Sequence, residues 1–322
     1  MSRFSVEAPI EKLERSTIIH GDSLEMMKML PDKSIHLVFS SPPYAGVIRK
    51  YVEGDPRDLG QLEPDEYIDR FMPYIHEVCR VLRHEEGCVF ILNLGEKYQN
   101  GFASLYPERL MLRIIKETPL RVIDKVPWIK TDPMPGKKSR HGTIAWEHII
   151  IFGSQPDKIN KNNDFMRRPY ETSQNMIADK RDIKQTRKQT GHKMNEAGCF
   201  NNIGAEPSNW IVCSTQGVKG SNHKAQMPER LAEYFVGAYS QERQFVLDPF
   251  GGGGTTSAVS WRMNREFVHI DLSEHNCEIA ENRIAQIPQR KNLFNIYGLD
   301  LSGKKEKDEV RKRNNMENKP LF

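Results

Sequence analysis

A hydroxyl, two prolines and an aromatic ring occur together at Ser41, Pro42, Pro43 and Tyr44, directly after the apolar residues 35–39. The apolar run predicts a buried strand, and the two prolines prevent that strand from continuing, so the chain must turn here. Open α/β sheets place their ligand crevices at the carboxyl ends of strands, where this turn would present its hydroxyl, carbonyl groups and ring. A plain Pro-Pro turn that closes a strand is the alternative interpretation of the motif alone.

A second candidate site begins at Asp248, where another short apolar run ends. Pro249 and Phe250 follow, and then come four glycines and two threonines, residues 251–256. Glycines at the start of a helix let the backbone approach a ligand, and Asp271 ends the next predicted strand about 20 residues later, where a carboxylate can bind both hydroxyls of a ribose. The loop has neither Gly-x-Gly-x-x-Gly spacing nor the Gly-Lys-Ser of phosphate-binding loops. We therefore expect a nucleoside-like ligand without phosphates; a flexible glycine linker is the alternative.

Composition narrows the class of protein. A chain of 322 residues with 38% hydrophobic residues can bury one sizeable core and a smaller lobe, and no apolar run reaches the roughly 20 residues of a membrane span. Charged residues at 11–15 stand where a signal peptide would need its apolar core, so we expect a cytoplasmic protein with no membrane partner. The five cysteines show no Cys-x-x-Cys spacing, which predicts reduced thiols and no metal site. The net charge of +4 is compatible with a polyanionic partner.

The elements that position the first motif are predicted from apolar periodicity. Residues 16–22 indicate a short strand, residues 23–30 a helix and residues 35–39 a second strand, which together predict a βαβ unit with parallel strands. Asp22 would then lie at the carboxyl end of a strand, beside the Ser41 turn. A helix N-cap is the alternative role for Asp22.

Similar patterns extend over most of the chain. Residues 45–63 lack a clear period and predict a mobile loop close to the active site. Elsewhere apolar residues recur at helical spacing or in short strand-like runs, which predicts helices at residues 64–82, 106–117, 231–239, 255–262 and 273–287 and strands at residues 88–93, 120–130, 147–152 and 267–271. This alternation predicts an α/β fold with a doubly wound sheet.

Positive charge is concentrated between residues 156 and 193. This segment holds ten Lys or Arg and five acidic residues, whereas the whole chain carries a net charge of only +4. Few aliphatic residues accompany these charges, so the segment predicts a small domain or loop cluster that grips DNA phosphates and reaches base edges. The candidate DNA-binding residues are Arg167, Arg168, Lys184 and Arg187. A solvated, lysine-rich linker is the alternative.

Three motifs in combination resemble those of the S-adenosylmethionine-dependent amino-methyltransferases of DNA. Residues 41–44 match their catalytic loop and residues 248–256 their cofactor loop, although Gly253 stands where many members carry Ser. The pattern His223-x-Ala-x-x-Pro228-Glu-x-Leu231 matches the helix that leads into the cofactor loop, with Met227 where Phe is commoner. The catalytic motif precedes the cofactor motif, which resembles the permuted β-group order of the family. The resemblance covers about residues 16–287.

The resemblance implies a Rossmann-like methyltransferase sheet, mostly parallel, with an inserted target-recognition region. It divides the chain into a catalytic half (residues 1–153), the target-recognition region (154–208), a cofactor-binding half (209–300) and a charged tail (301–322). By analogy Asp22 would lie near the adenine of S-adenosylmethionine, Asp271 at its ribose and Asp248 near its amino-acid arm. The full set of expected cofactor-binding residues is Asp22, His223, Pro228, Asp248, Pro249, Phe250, Gly252, Gly254, Thr255 and Asp271.

The resemblance also implies an activity. An exocyclic amine is a poor nucleophile until acceptors hold its two N–H groups, and the Ser41 hydroxyl and the Pro42 carbonyl would be those acceptors, with Tyr44 stacked on the base. The Ser form of the motif goes mostly with cytosine in this family. We therefore expect methylation of cytosine N4 in double-stranded DNA after the base is rotated into the pocket, by the modification enzyme of a bacterial or archaeal restriction-modification system. A cognate restriction endonuclease would be its functional partner, and the nucleoid its location.

Other functions stay open at this point. Methylation of adenine N6 by the same fold is the nearest alternative, and methylation of protein glutamine or of RNA follows, because related Asn-Pro-Pro-Tyr turns serve those substrates. Methylation at cytosine C5 needs a Cys nucleophile in a Pro-Cys loop, and no cysteine here follows a proline. A catalytically silent DNA-binding module is the alternative from another class. Monomer and dimer are both compatible with the sequence.

Overall fold

The computed structural model of the chain describes residues 2–4, 9–46, 55–133, 142–163, 165, 208–215 and 227–288. Helices with one buried apolar face alternate with short apolar strands in these residues, as the periodicity predicts. The α-helices are α1 (Ser23–Lys28), α2 (Pro64–Val81), α3 (Tyr106–Glu117), α4 (Glu229–Tyr239), α5 (Thr255–Arg262) and α6 (Glu274–Ala285). Proline stands in the first turn of both α2 and α3, where the missing N–H would have no partner within the helix.

The strands are β1 (Ser2–Phe4), β2 (Thr17–His20), β3 (Leu37–Ser40), β4 (Val89–Leu94), β5 (Tyr98–Gln99), β6 (Phe102–Ala103), β7 (Arg121–Lys130), β8 (Trp146–Gly153), β9 (Ile211–Cys213), β10 (Phe245–Asp248) and β11 (Glu266–Asp271). Nine of them form one sheet in the order β1-β2-β11-β10-β3-β4-β8-β7-β9, and β5 pairs with β6 in a small hairpin. All neighbours in the large sheet are parallel except β8, which runs antiparallel to both β4 and β7. The predicted mostly parallel α/β sheet is confirmed.

Helices cover both faces of the sheet. On one face α1, α2 and α3 contribute to a core with the inward residues of the central strands, among them Val38 and Leu92. On the other face α4 and α5 pack over Phe39 and Ile91, and α6 packs with α5 over β2 and β11. The central strands β3, β4, β8, β10 and β11 are buried on both sides, which explains why they read as largely continuous apolar runs and not as alternating ones.

The order of strands reverses between β3 and β10. The chain leaves β3 through α2 and enters β4 on one side, whereas it leaves β10 through α5 and enters β11 on the other side. Two loops therefore diverge from adjacent strand ends and open a crevice at the carboxyl edge of the sheet. This is the place where open α/β sheets bind their ligands.

Two expectations need correction. The strands β2 and β3 are parallel members of one sheet, but β11 and β10 lie between them, so Asp22 is not beside the Ser41 turn. Part of the expected mobile loop is folded: residues 59–61 form a helical turn in which Leu59 is buried, and the Gly46 amide donates to the Leu62 carbonyl.

No helix among the described residues is long and apolar enough to cross a membrane.

Candidate active site

The two motifs, about 200 residues apart in the chain, lie on adjacent strands. Val246 pairs with Leu37 in the parallel register of β10 and β3, so the two strands end at the same edge of the sheet. The Ser40 hydroxyl, at the end of β3, donates to Asp248 Oδ1, at the end of β10, over 2.7 Å. The turn that starts at Ser41 and the glycine loop that follows Asp248 are therefore held against each other by a buried hydrogen bond.

Asp248 is a buried carboxylate with three hydrogen-bond donors. Oδ1 accepts from the Ser40 hydroxyl and from the Phe250 amide at 3.2 Å, and Oδ2 accepts from the Thr256 hydroxyl at 2.7 Å. Burial raises the pKa of Asp248 to about 6, while the three donors act in the opposite direction. The expected contact of Asp248 with the amino-acid arm of the cofactor stays a prediction; what the structure shows is a carboxylate that folds the loop around itself.

In the glycine loop Gly251 and Gly254 are tightly packed, against His269 and Ala280, whereas Gly252 faces open space. A Cβ at Gly251 would lie 2.2 Å from His269 Nδ1, so only glycine fits there. Gly252 has φ of +50°, and a Cβ built on it would have no neighbour within 4 Å. Gly254 has φ of +76° and immediately precedes α5, which begins at Thr255. At Gly252 the loop thus presents bare backbone to an open space beside the Asp271 carboxylate, where a ligand can approach closely.

Asp271 lies at the end of β11 and contacts the same loop. Its Oδ2 accepts from the Gly252 amide at 2.8 Å, and its Oδ1 accepts from the Ser273 amide and from Asn276 Nδ2, both at 2.9 Å. The side chain is half-buried. The carboxylate is therefore fixed in orientation beside the open face of Gly252, as a ribose-binding group would have to be.

An aromatic cluster forms one wall of the crevice. The Phe250 ring packs on Phe71 with 5.8 Å between ring centroids and on Tyr74 at 5.4 Å, which joins the glycine loop to α2. The Ser23 hydroxyl, in the first turn of α1, donates to the Pro249 carbonyl. Pro249 and Phe250 are thereby anchored to two helices of the same face.

Asp22 is the N-cap of α1. Its Oδ1 accepts from the amides of Leu24 and Glu25 at 3.0 and 3.3 Å, and the Tyr74 hydroxyl donates to its Oδ2 at 3.4 Å. The neighbouring amide, of Gly21, donates to the backbone carbonyl of Asp271. Asp22 therefore lies next to the ribose-site candidate and not next to Ser41, and the N-cap alternative is confirmed; its contact with adenine stays a prediction.

The helix before the cofactor loop contributes an ion-pair bridge. Pro228 is buried and caps α4, and Glu229 follows it. Glu229 binds Arg262 of α5 at 2.8 Å and Arg283 of α6 at 2.5 Å. Arg283 also donates to the Gly253 carbonyl at 3.0 Å, and to the hydroxyl of Thr255 at 3.1 Å. The match to the family pattern thus includes a residue, Glu229, whose structural task sequence reasoning missed.

The Ser41 hydroxyl belongs to a network of polar side chains. Ser41 Oγ lies 3.2 Å from the Tyr44 hydroxyl and 3.3 Å from Asn93 Nδ2. The Tyr44 hydroxyl donates to Glu147 Oε2 at 2.6 Å, and Lys130 Nζ pairs with Glu147 Oε1 at 2.6 Å. Burial, followed by the charge of Glu147, raises the pKa of Tyr44 well above its ordinary value, so the phenol stays protonated.

Sequence reasoning missed Asn93, Glu147 and Lys130. Asn93 lies near the end of a strand that neighbours β3, and Glu147 lies near the start of β8, just before its apolar run. Both are unusual in buried strands and could have served as signals. Their convergence depends on the antiparallel pairing of β4 with β8, in which Asn93 faces Ile149. The side-chain carbonyl oxygen of Asn93, Oδ1, is buried and has no hydrogen-bond partner among the described residues.

A second polar cluster lies on the opposite face of β8. Glu96, Glu108 and His148 have one ligand-type atom each within 4.8 Å of the others. Glu96 Oε1 already accepts from the Lys97 amide and the Ser104 hydroxyl, both at 2.8 Å, and serves the turn that it begins. Burial lowers the pKa of His148. The expected absence of a metal stays a prediction.

The remaining site predictions lie outside the described residues. These are the cofactor-site residue His223 and the DNA-binding residues Arg167, Arg168, Lys184 and Arg187. Cys199 lies outside as well, and the four described cysteines, Cys79, Cys88, Cys213 and Cys277, form no disulfide bond with one another.

Comparison with known proteins matches the chain to one family. The model of the N6_N4_Mtase family, described as DNA methylase, matches residues 35–282. That range includes the Ser41 turn, the network residues, the glycine loop and Asp271.

Individual proteins resemble the chain over most of its length. The type II methyltransferase M.PvuII of Proteus hauseri is 25% identical over 314 residues, which cover 88% of this chain and 90% of that protein. The solved PvuII DNA methyltransferase, cytosine-N4-specific, superimposes with a TM-score of 0.62 at 20% identity and covers 94% of this chain and 93% of its own. TTHA0409 of Thermus thermophilus, solved in complex with S-adenosyl-L-methionine, gives a TM-score of 0.53 at 20% identity and covers 86% of this chain and 96% of its own. At this identity the two structures establish the fold.

Proposed function

The chain belongs to the DNA methylase family, and from that premise we propose that it transfers a methyl group from S-adenosylmethionine to the exocyclic N4 of cytosine in double-stranded DNA. The observation that carries the proposal is the 2.7 Å hydrogen bond between Ser40 and Asp248. This bond joins the turn that would hold the amine to the loop that would hold the methyl donor. The two halves of a methyl-transfer site are thus adjacent without any rearrangement of the sheet.

The residues of the glycine loop fit S-adenosylmethionine. Gly252 leaves open space above its backbone, and Asp271 stands beside that space with a fixed carboxylate. We assign the ribose hydroxyls to Asp271 and the adenine side of the crevice to Phe250 and Asp22. When bound, S-adenosylmethionine would supply an activated methyl group: the bond from methyl to sulfur breaks as the bond to the amine nitrogen forms, S-adenosylhomocysteine leaves, and the methylated amine loses one proton to solvent.

The Ser41 turn does the remaining chemical work. The lone pair of an exocyclic amine is delocalised into the base, so the turn must hold the two N–H groups in a geometry that localises it. Ser41 Oγ and the Pro42 carbonyl are the proposed acceptors, and their benefit is alignment and exclusion of water. The unsatisfied carbonyl oxygen of Asn93 adds a further acceptor within the same network, as expected where a hydrogen-bond donor is to be received.

The choice of cytosine over adenine rests on two supports. The motif carries Ser at position 41, and the relatives include M.PvuII, whose solved namesake is described as cytosine-N4-specific. The family name itself covers both N6 and N4 amines. Adenine N6 is therefore the outcome that would displace cytosine in the test below.

We further propose how the rest of the chain contributes. Residues 1–153 form the catalytic half, residues 209–300 the cofactor-binding half and residues 301–322 a charged tail, while residues 154–208 recognise the DNA target. The protein would act in the cytoplasm at the nucleoid of a bacterium or archaeon, as the modification partner of a restriction endonuclease. Support comes from the type II methyltransferases among its relatives.

The test is a labelled methyl-transfer reaction. Purified protein is incubated with duplex DNA and methyl-labelled S-adenosylmethionine, and the nucleosides are separated after digestion. Label in N4-methyldeoxycytidine is expected, and Ser41→Ala should reduce it strongly while the glycine loop still binds the donor. Label in N6-methyldeoxyadenosine alone would replace the substrate, and label in 5-methyldeoxycytidine would overturn the mechanism.

A further inference from the structure

Glu147 is a buried carboxylate whose task the methylase motifs do not explain. Its side chain is only 9% exposed, and it lies near the start of the buried strand β8. Burying a charge is costly unless it is paired and hydrogen-bonded. Glu147 meets that condition with three donors: the Tyr44 hydroxyl at 2.6 Å and Asn93 Nδ2 at 2.9 Å on Oε2, and Lys130 Nζ at 2.6 Å on Oε1.

The carboxylate fixes the direction of every hydrogen bond in the network. A carboxylate only accepts, so the Tyr44 hydroxyl must give its single proton to Glu147. The Tyr44 oxygen is then an acceptor, and Asn93 Nδ2, which only donates, approaches it at 2.8 Å. Because the Tyr44 proton is already committed, the Ser41 hydroxyl, 3.2 Å away, must be the donor in its pair with Tyr44.

This direction matters at Ser41. A serine hydroxyl that rotates freely could donate to the ring nitrogen of a base or accept from its amine. Asn93 Nδ2 has two protons, and its shorter contacts, with Tyr44 at 2.8 Å and Glu147 at 2.9 Å, account for both. The Ser41 proton therefore points to Tyr44, and the lone pairs of its oxygen are left for an incoming N–H group. The hydroxyl is set as an acceptor before the base arrives, so no reorganisation is needed during methyl transfer.

We propose that Glu147 is a positioning residue that acts through Tyr44 to hold the Ser41 hydroxyl as an acceptor for the target amine. The proposal rests on the proposed amine methylation and adds to it a residue from a different strand. It applies equally to cytosine N4 and adenine N6, since both present N–H donors.

The decisive variant is Glu147→Gln. The Lys130 ammonium, which only donates, would bind the oxygen of the new amide and turn the amide NH₂ toward Tyr44. Tyr44 would then accept from residue 147 and donate its own proton to Ser41. The direction of both hydrogen bonds would be reversed. The single-turnover rate of methyl transfer should fall at least tenfold, while the Kd for S-adenosylmethionine stays within twofold.

A second change should restore the original direction. In the double variant Lys130→Met/Glu147→Gln, nothing holds the amide oxygen at the Lys130 side, so it can rotate to accept from Tyr44 and Asn93. The rate should rise at least threefold above that of Glu147→Gln alone. A merely structural role for Glu147 predicts the opposite, because the double variant loses one more packing contact. The matched control is Glu108→Gln. Glu108 lies on α3 and pairs with His148 on the opposite face of β8, so this change should leave the rate unchanged.

The outcomes separate the two proposals. Wild-type activity with a Glu147→Gln rate within twofold, or a double variant no faster than the single, overturns the positioning role alone. Absence of methyl transfer to any DNA amine by the wild-type protein overturns the proposed function and this role with it. If Glu147→Gln does not fold, Tyr44→Phe takes its place: it removes the phenol that links Glu147 to Ser41, and a wild-type rate for it would contradict the proposal.

Discussion

Three aspartates at neighbouring strand ends differ in what their oxygens bind. Asp248 is buried and surrounded by hydroxyl and amide donors, so it organises the loop from within. Asp22 caps α1, and Asp271 accepts hydrogen bonds from the Gly252 and Ser273 amides. Both side chains are only half-buried. Residue type and strand position are alike, and the surroundings decide which carboxylate can meet a ligand.

The ribose assignment predicts a split between binding and turnover. Asp271→Ala should weaken S-adenosylmethionine binding at least tenfold, about 1.4 kcal/mol, because it removes the acceptor for the ribose hydroxyls. Ser41→Ala should leave the affinity nearly unchanged and slow turnover greatly. Isothermal titration calorimetry measures the first effect, with Asn276→Ala as a control that removes a partner of Asp271 but keeps the carboxylate. Equal affinities for wild type and Asp271→Ala would remove the assignment.

The buried Asp248 carboxyl predicts a pH dependence of stability. Its pKa in the folded protein is about 6, whereas an aspartate in an unfolded chain titrates near 4, so the folded state binds more protons between these values. The free energy of unfolding should therefore fall as pH rises from about 4 to about 6, by roughly 3 kcal/mol from this group. Asp248→Asn lacks the titration and should not show that component. Urea unfolding of both proteins across this range measures the difference; parallel profiles would contradict it.

At the scale of elements, the glycine loop predicts two different failures. Gly252→Ala places a methyl group in open space at φ of +50°, so it should cost about 1 kcal/mol of stability and weaken S-adenosylmethionine binding at least tenfold. Gly251→Ala collides with His269 and should lower the melting temperature more, by overpacking of about 1–3 kcal/mol. Gly142→Ala is the control, since its added Cβ meets nothing within 4 Å. Unchanged cofactor affinity in Gly252→Ala would show that the ligand lies elsewhere.

Elements were predictable where the signal is local. The helices α3 and α5 have the bounds that the sequence predicts, Tyr106–Glu117 and Thr255–Arg262, the second of them directly after the four glycines. The order of strands was not predictable in the same way, because the insertion of β10 and β11 between β2 and β3 depends on pairings across more than 200 residues. The network around Glu147 was missed because it too depends on a pairing of distant strands, that of β4 with β8.

At the scale of the whole molecule, the reversal of strand order explains why the permuted motifs work. The catalytic turn and the cofactor loop lie on the neighbours β3 and β10, so a site forms whichever motif comes first in the chain. The segment with ten Lys or Arg and five acidic residues, residues 156–193, then lies between the two halves. This places a candidate DNA-binding region in the connection between them.

Replacing Arg167, Arg168, Lys184 and Arg187 with Ala should weaken DNA binding and flatten its dependence on salt, because fewer phosphate contacts release fewer counterions. The slope of log affinity against log salt should become less steep by about 3.6 if all four contact phosphates, at about 0.9 for each. Affinity for S-adenosylmethionine should survive. The matched control replaces four cations outside this segment, Lys28, Lys33, Arg83 and Lys116. An unchanged slope would return residues 156–193 to the linker interpretation.

The central claim is that the Ser41 turn and the glycine loop form one site that methylates an amine of DNA. Its most direct test is mass analysis of the nucleosides in DNA from cells that express the wild-type protein, Ser41→Ala or no protein. N4-methyldeoxycytidine should appear with the wild type and be nearly absent with Ser41→Ala at equal protein level. Wild-type DNA without any methylated amine, or equal modification by Ser41→Ala, would contradict the claim.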